Sequence, residues 1–271
     1  MKKVLALATC FNRKEKTIKA INSLISGNKD ICFSFIICDD NSTDGTYEEL
    51  SKYKNVEIVK GNGYLFWCGG MRKAIDKALE KTEVYDFSLL FNDDVLFFEN
   101  SISKLANRND DSILVGPTCD DKGKLSYGGI VKTSKWRPKY KTIIGIEENG
   151  TECDTFNANC VLIPWNIFMK LGNMDETYTH SFGDYDYGFV AKRKGYTIKV
   201  AKDYIGRCNN NLSANTFNDI SLSIKERLRL KRNPKGGLPF KEYYHYLRKN
   251  FSLPTAIIFS ITPYIRVFLK K

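Results

Sequence analysis

Residues 87–95 read Phe87-Ser88-Leu89-Leu90-Phe91-Asn92-Asp93-Asp94-Val95, an apolar run that ends abruptly on two adjacent carboxylates. The apolar half has the composition of a buried strand, and the acids stand where such a strand meets solvent. Neighbouring carboxylates repel, so burying them unpaired costs stability, and a cation or a hydrogen-bonding ligand is the natural compensation. Hard oxygen donors of this kind suit Mg2+ or Mn2+, which take one or two protein carboxylates and fill their remaining positions with phosphate oxygens and water. The plainer reading is a solvated Asx turn closing a strand.

A second stretch repeats the design. Phe33-Ser34-Phe35-Ile36-Ile37-Cys38 reads as a short apolar strand, followed at once by Asp39-Asp40-Asn41-Ser42-Thr43-Asp44-Gly45-Thr46 and a helical pattern from Tyr47. Outward from these two, strands are expected over 4–9, 56–60, 113–116 and 160–164, and helices over 14–26, 46–53, 71–81, 100–106, 165–171 and 184–194. Alternating β and α with short connections implies an α/β fold with a mainly parallel central sheet flanked by helices on both faces. In such a sheet ligands gather at the carboxyl ends of the strands, so acids from different strands converge on one crevice. The Gly- and Lys-rich stretch up to Gly150 reads only as strands and loops.

At 271 residues and 42% hydrophobic content the chain can bury one large core. The formal charge of +11 is concentrated: from residue 225 onward twelve Lys/Arg face only Glu226 and Glu242, a net +10, leaving +1 for the first 224 residues. That asymmetry argues against a catalytic domain that tracks nucleic acid and for a basic C-terminal element. Residues 253–269 are apolar but interrupted by Pro254, Pro263 and Arg266, short of the roughly 18–20 clean apolar residues of a spanning helix. The expectation is a catalytic domain over 1–224 and a segment over 225–271 that lies at the inner face of a membrane, its Lys/Arg attracting anionic lipid. The competing expectation is a terminal helix packed on the main domain, or on a second subunit of an oligomer. Eight scattered cysteines, without a Cys-x-x-Cys pair, read as reduced and cytoplasmic. The start, Met1-Lys2-Lys3 and a brief apolar run, is too short for a secretory h-region and reads as a first strand.

The ordered set of motifs resembles the family 2 glycosyltransferases of GT-A fold, which transfer a sugar from a nucleotide diphosphate donor with inversion. The resemblance spans residues 4–208 and rests on Thr9-Cys10-Phe11-Asn12-Arg13, Asp39 to Thr46, Gly61-Asn62-Gly63 leading to Gly69-Gly70-Met71-Arg72, Asn92-Asp93-Asp94, and Phe182-Gly183-Asp184-Tyr185-Asp186. It implies a Rossmann-like nucleotide-binding half. Thr9, Asn12, Arg13, Asp39 and Asp40 would surround the nucleobase and ribose, while Gly70 and Arg72 would serve the diphosphate at a helix N-terminus. Asp93 would lie near the ribose and Asp94 would hold Mg2+ or Mn2+. Asp184 would be the general base toward the acceptor hydroxyl, with Asp186 in support. Arg207 and residues 209–211 fall where the family closes the donor site.

The sequence departs from the pattern at Trp67 and Cys68, where the family carries small residues, and at Gly183, where it carries Glu. The resemblance implies a UDP-sugar donor, with dTDP-rhamnose as the alternative, and a lipid-linked or polysaccharide acceptor in cell-surface glycan synthesis. A nucleotidyltransferase shares the layout, but its Gly-rich loop after the first strand is absent here. The rival outside catalysis is a membrane-surface nucleotide-sugar binder, for which Gly183 is the sequence support.

Overall fold

The computed structural model describes residues 1–108, 111–209, 217, 219 and 221–269. The first part runs β1 (Lys2–Cys10), α1 (Lys14–Gly27), β2 (Ile31–Asp39), α2 (Thr46–Leu50), β3 (Val56–Lys60), α3 (Phe66–Leu79) and β4 (Phe87–Phe91). Short elements follow: β5 (Leu96–Phe97), α4 (Ser101–Ala106), β6 (Ile113–Val115), β7 (Thr118–Cys119), β8 (Leu125–Tyr127), β9 (Gly129–Lys132), β10 (Tyr140–Ile143), β11 (Thr151–Glu152) and β12 (Thr155–Phe156). The remainder is β13 (Cys160–Pro164), α5 (Trp165–Leu171), α6 (Gly183–Arg193), β14 (Ile198–Val200), β15 (Gly206–Arg207), α7 (Ile224–Arg232), α8 (Phe240–Asn250) and α9 (Leu253–Leu269).

Eight strands form the central sheet in the order β11-β14-β6-β13-β4-β1-β2-β3. β3, β2, β1 and β4 are parallel, the Rossmann-like half, and β13 enters antiparallel between β4 and β6. β1 shows why its sequence is apolar throughout. Val4, Ala6, Ala8 and Cys10 join Ala20, Ile21 and Leu24 of α1 on one face, while Leu5 and Leu7 join Met71, Ala74 and Ile75 of α3 on the other. The chain builds β2 and β3 on one side of β1 and then crosses to β4 on the other. That reversal makes the carboxyl edge between β1 and β4 a topological switch point, where such sheets bind ligands.

Two local features differ from the sequence reading. α3 begins at Phe66 rather than residue 71, because the Asp40 carboxylate at the end of β2 accepts the backbone N–H groups of Asn62, Gly63, Leu65 and Phe66 at 2.8–3.3 Å. A carboxylate at the end of another strand thus satisfies the first N–H of the helix and that of its cap residue. The basic segment is also no loose tail. Tyr246, Leu247 and Ala256 of α8 and α9 are buried with Cys68, Tyr178 and Phe189 in a third apolar cluster. Asp186 fixes this docking, for Lys249 donates to it at 2.5 Å and Asn250 at 3.2 Å. The sequence expectation that Asp186 supports the base is therefore corrected: buried and ion-paired, it anchors α8.

Candidate active site

A cleft of about 760 Å³ opens over the carboxyl edge of β1 and β4, and Thr9, Arg13, Asp40, Asp93, Asp94 and Asp184 all line it. A smaller cleft at the opposite edge of the sheet, near Lys2 and Asp86, receives none of the motif residues. The acids after β4 are held by one guanidinium, Arg13 Nη1 donating to Asp93 Oδ1 at 2.9 Å and to Asp94 Oδ2 at 3.0 Å. Burial pushes Asp93 up to about 6, with Arg13 opposing and Asp94 adding to the rise. Its Oδ2 is buried with no hydrogen-bond partner, an uncompensated acceptor beside a second carboxylate. Cys208, just past β15, donates through Sγ to Asp94 Oδ1 at 3.5 Å.

Asp184 approaches from another wall, in the first turn of α6. Burial raises its carboxyl to about 6, while hydrogen bonds from the backbone of Tyr185 and Ala158 pull the other way. A carboxylate with that value, facing a cleft, is suited to accept a proton near neutral pH. His180 lines the same cleft; burial and then Lys235 and Arg13 lower it to about 4, so its ring is neutral.

Other expected contacts have different duties. Thr9 Oγ1 donates to the carbonyl of Cys38, and Asn12 Oδ1 accepts from the backbone of Thr43 at 2.7 Å, stitching the loops after β1 and β2 together. Asp39 Oδ1 accepts from Ser42 N at 3.1 Å, a turn-capping role. Asp40 lines the cleft, but the four backbone donors it holds leave its oxygens committed to the 62–66 loop rather than to a nucleobase. Gly70 lies inside α3, not before it, and a Cβ there would stand 2.0 Å from Thr9 Oγ1; it is a packing glycine, not a phosphate contact. Arg72 donates to the carbonyls of Asp175 and Tyr178 at 3.2 and 2.5 Å and so pins the loop before α6 instead of facing a diphosphate. Arg207 and Asn209 both turn to Asp121, and residues 210 and 211 lie outside the described residues.

The glycosyl transferase family 2 profile matches residues 6–162, more than half of the chain, from within β1 to within β13. The chain belongs to glycosyl transferase family 2. No curated protein sequence matches it. Among solved structures, GalNAc-T7 with UDP, GalNAc and Mn2+ is similar at TM-score 0.57 and 11% identity, over 76% of this chain and 42% of that one. The mannosyltransferase PcManGT from Pyrobaculum calidifontis, in complex with GDP-Man and Mn2+, is similar at TM-score 0.50 and 11% identity, over 97% of this chain and 80% of that one. The present chain thus spans less than half the length of GalNAc-T7, and at this identity the likeness shows the shared GT-A fold.

For this family 2 transferase the two departures from the motif pattern prove to be one. A Cβ on Gly183 would lie 2.5 Å from Cys68 Sγ, so the larger residue on α3 and the missing Glu on α6 are a steric pair. Trp67 has its own task, donating from Nε1 to Asn92 Oδ1 at 2.8 Å and bracing the acidic turn.

The cleft is also lined by aromatic residues from outside the motifs. Tyr140 of β10 and Tyr246 of α8 share a 2.5 Å hydroxyl contact, and with Tyr243, Phe182 and Tyr185 they give the cleft an aromatic wall beside Asp184. The signal was available in Tyr243, Tyr246 and Leu247, a helical stripe within the basic segment.

The donor set fits a divalent cation. Among the described residues no group of three or more His, Cys, Asp or Glu forms a metal cluster, so the protein would supply only Asp94 and Asp93. That leaves the other positions to phosphate and water, as Mg2+ and Mn2+ prefer. The unpartnered Asp93 Oδ2, the one oxygen of that carboxylate Arg13 does not reach, points the same way.

Proposed function

We propose that the chain is a metal-dependent, inverting glycosyltransferase that moves a sugar from a nucleotide diphosphate donor to a hydroxyl of a lipid-linked or polysaccharide acceptor in cell-surface glycan synthesis. The observation that carries this reading is the pairing, in one cleft, of the Asp93–Asp94 site with a separate carboxylate, Asp184, raised to about 6. Asp94, with Asp93, would hold Mg2+ or Mn2+, which when bound supplies positive charge to the departing nucleotide diphosphate. Asp184 takes the proton of the acceptor hydroxyl as that oxygen attacks the anomeric carbon, and the aromatic wall orients the acceptor ring by stacking. Arg13 neutralises the acid pair and, being partly exposed, can turn toward phosphate. UDP-sugars are the first donors to test and dTDP-rhamnose the next. The basic C-terminal segment supports work at the inner face of a membrane.

The binder reading drew on Gly183, and the Cys68 contact gives that glycine a packing reason instead. The test is transfer by purified protein with Mn2+ or Mg2+, a panel of nucleotide sugars and a lipid-linked acceptor extract. Turnover with one donor, lost in Asp94→Ala and Asp184→Asn, is the expected result. Transfer that persists in either variant, or donor binding without turnover and unaffected by Asp94→Ala, would overturn the reading.

A further inference from the structure

α9 turns its apolar side outward. Thr255, Ala256, Ser260 and Val267 are its buried residues, whereas Ile257, Ile258, Ile261, Ile265, Phe268 and Leu269 are 44–73% exposed. Their spacing places these six on a single stripe along the helix. A contiguous apolar surface of this kind marks an interaction face, and among the described residues no helix is long and apolar enough to cross a membrane.

Two observations identify what covers it. On α7, α8 and α9 the exposed charges are Lys225, Arg229, Arg232, Lys241, Arg248 and Arg266, against Glu226 as the one exposed acid among the described residues of those helices. A second copy docked here would bring two strongly basic helical segments together, while a surface of anionic lipid complements them. Near the first turn of α9 lies Trp136, 74% exposed, whose carbonyl accepts a hydrogen bond from Thr255 Oγ1 at 3.0 Å. An exposed tryptophan on a loop bonded to the first turn of such a helix suits the headgroup layer of a membrane.

We propose that α9 and Trp136 form a monotopic docking face for a bilayer containing anionic lipid, with α9 lying in the plane of the headgroups. The loop that carries Trp136 continues into Pro138 and Tyr140, which line the cleft. The docked protein therefore holds its cleft rim at headgroup level, where the sugar of a lipid-anchored acceptor stands. This last step rests on the glycosyltransferase reading; the docking itself does not.

The test is co-sedimentation of the full chain with vesicles of phosphatidylcholine alone and of phosphatidylcholine with phosphatidylglycerol. Wild type binds the second kind, and binding weakens as salt screens the exposed Lys and Arg of α7, α8 and α9. Ile258→Asn and Ile265→Asn each lower partition about tenfold, the worth of one aliphatic side chain withdrawn from hydrocarbon. Both positions face solvent, so far-UV circular dichroism stays native. Trp136→Phe removes the vesicle-induced blue shift in fluorescence. No binding to anionic vesicles, or equal partition of wild type and variants, overturns the proposal. A dimer in sedimentation velocity that Ile258→Asn dissociates, without vesicle binding, would overturn it in favour of a second copy. No donor or turnover enters the measurement, so its failure and that of the transfer assay are read separately.

Discussion

Lys249→Met tests whether the C-terminal segment is part of the folded core. Lys249 donates at 2.5 Å to Asp186, whose side chain is 2% exposed, and at 2.8 Å to Asp175, 21% exposed. Methionine keeps the stem and removes the charge, leaving Asp186 with Asn250 Nδ2 at 3.2 Å and Arg193 at 3.7 Å. Stripping one partner from a buried ion pair costs about 3–5 kcal/mol. Because Asp186 keeps two weaker partners, the low end applies, about 3 kcal/mol out of the roughly 5–15 kcal/mol typical of a domain. Urea unfolding at pH 7, followed by circular dichroism, would show a lower midpoint at unchanged slope. Adding Asp186→Asn restores part of the loss, since no uncompensated charge is then buried.

The pH dependence has a definite sign. Burial raises Asp175, but hydrogen bonds from Lys249, His245 and Thr177 outweigh it and hold the carboxyl well below its usual 3.8. A depressed carboxylate stabilises above its unfolded value, so the Asp175 share of the wild-type advantage is full at neutral pH and fades as pH falls below about 4. A loss under about 0.5 kcal/mol, the scale of an exposed ion pair, would refute the claim that α8 is anchored by a buried charge.

Gly183→Glu, which restores the residue common in the family, destabilises by about 1–3 kcal/mol through overpacking on Cys68, and Cys68→Ala in the same chain recovers most of it; equal melting temperatures for the single and double variants would contradict the steric pairing. Asp184→Asn lowers kcat by about 10²–10⁴, and the wild-type rate falls on the acid side with a midpoint near the about 6 of Asp184. Its stability changes the opposite way: a carboxyl raised from 3.8 contributes stability in full below 3.8 and loses it as pH rises through about 6, so Asp184→Asn is more stable than wild type at pH 7 by urea unfolding. Arg13→Gln tightens nucleotide-free Mn2+ binding about tenfold by electron paramagnetic resonance, because a charge-assisted contact no longer occupies the carboxylates. An unchanged affinity would mean that Arg13 and the cation do not compete.

The parallel half was legible because strands covered on both faces are written as continuous apolar runs, as in β1, and because carboxylates placed after β1's neighbours must meet at one edge. The two-residue strands β5, β7, β11, β12 and β15 carry no period to read. Where site assignments failed, the deciding partner was distant in sequence. Gly69-Gly70 looks like punctuation before a helix, yet the first helical N–H is satisfied by Asp40, just past β2, and Gly70 packs on Thr9 of β1. Arg72 looks free for phosphate until the carbonyls of Asp175 and Tyr178 fold over it. The C-terminal segment was ambiguous for a different reason. Net charge averages over a segment, whereas burial is decided face by face, so one basic stretch carries both α8, which sends Tyr246 and Leu247 into the core, and α9, which leaves its isoleucines outside. The charge that suggested a membrane partner does not distinguish the two helices; the direction in which each points its apolar side does.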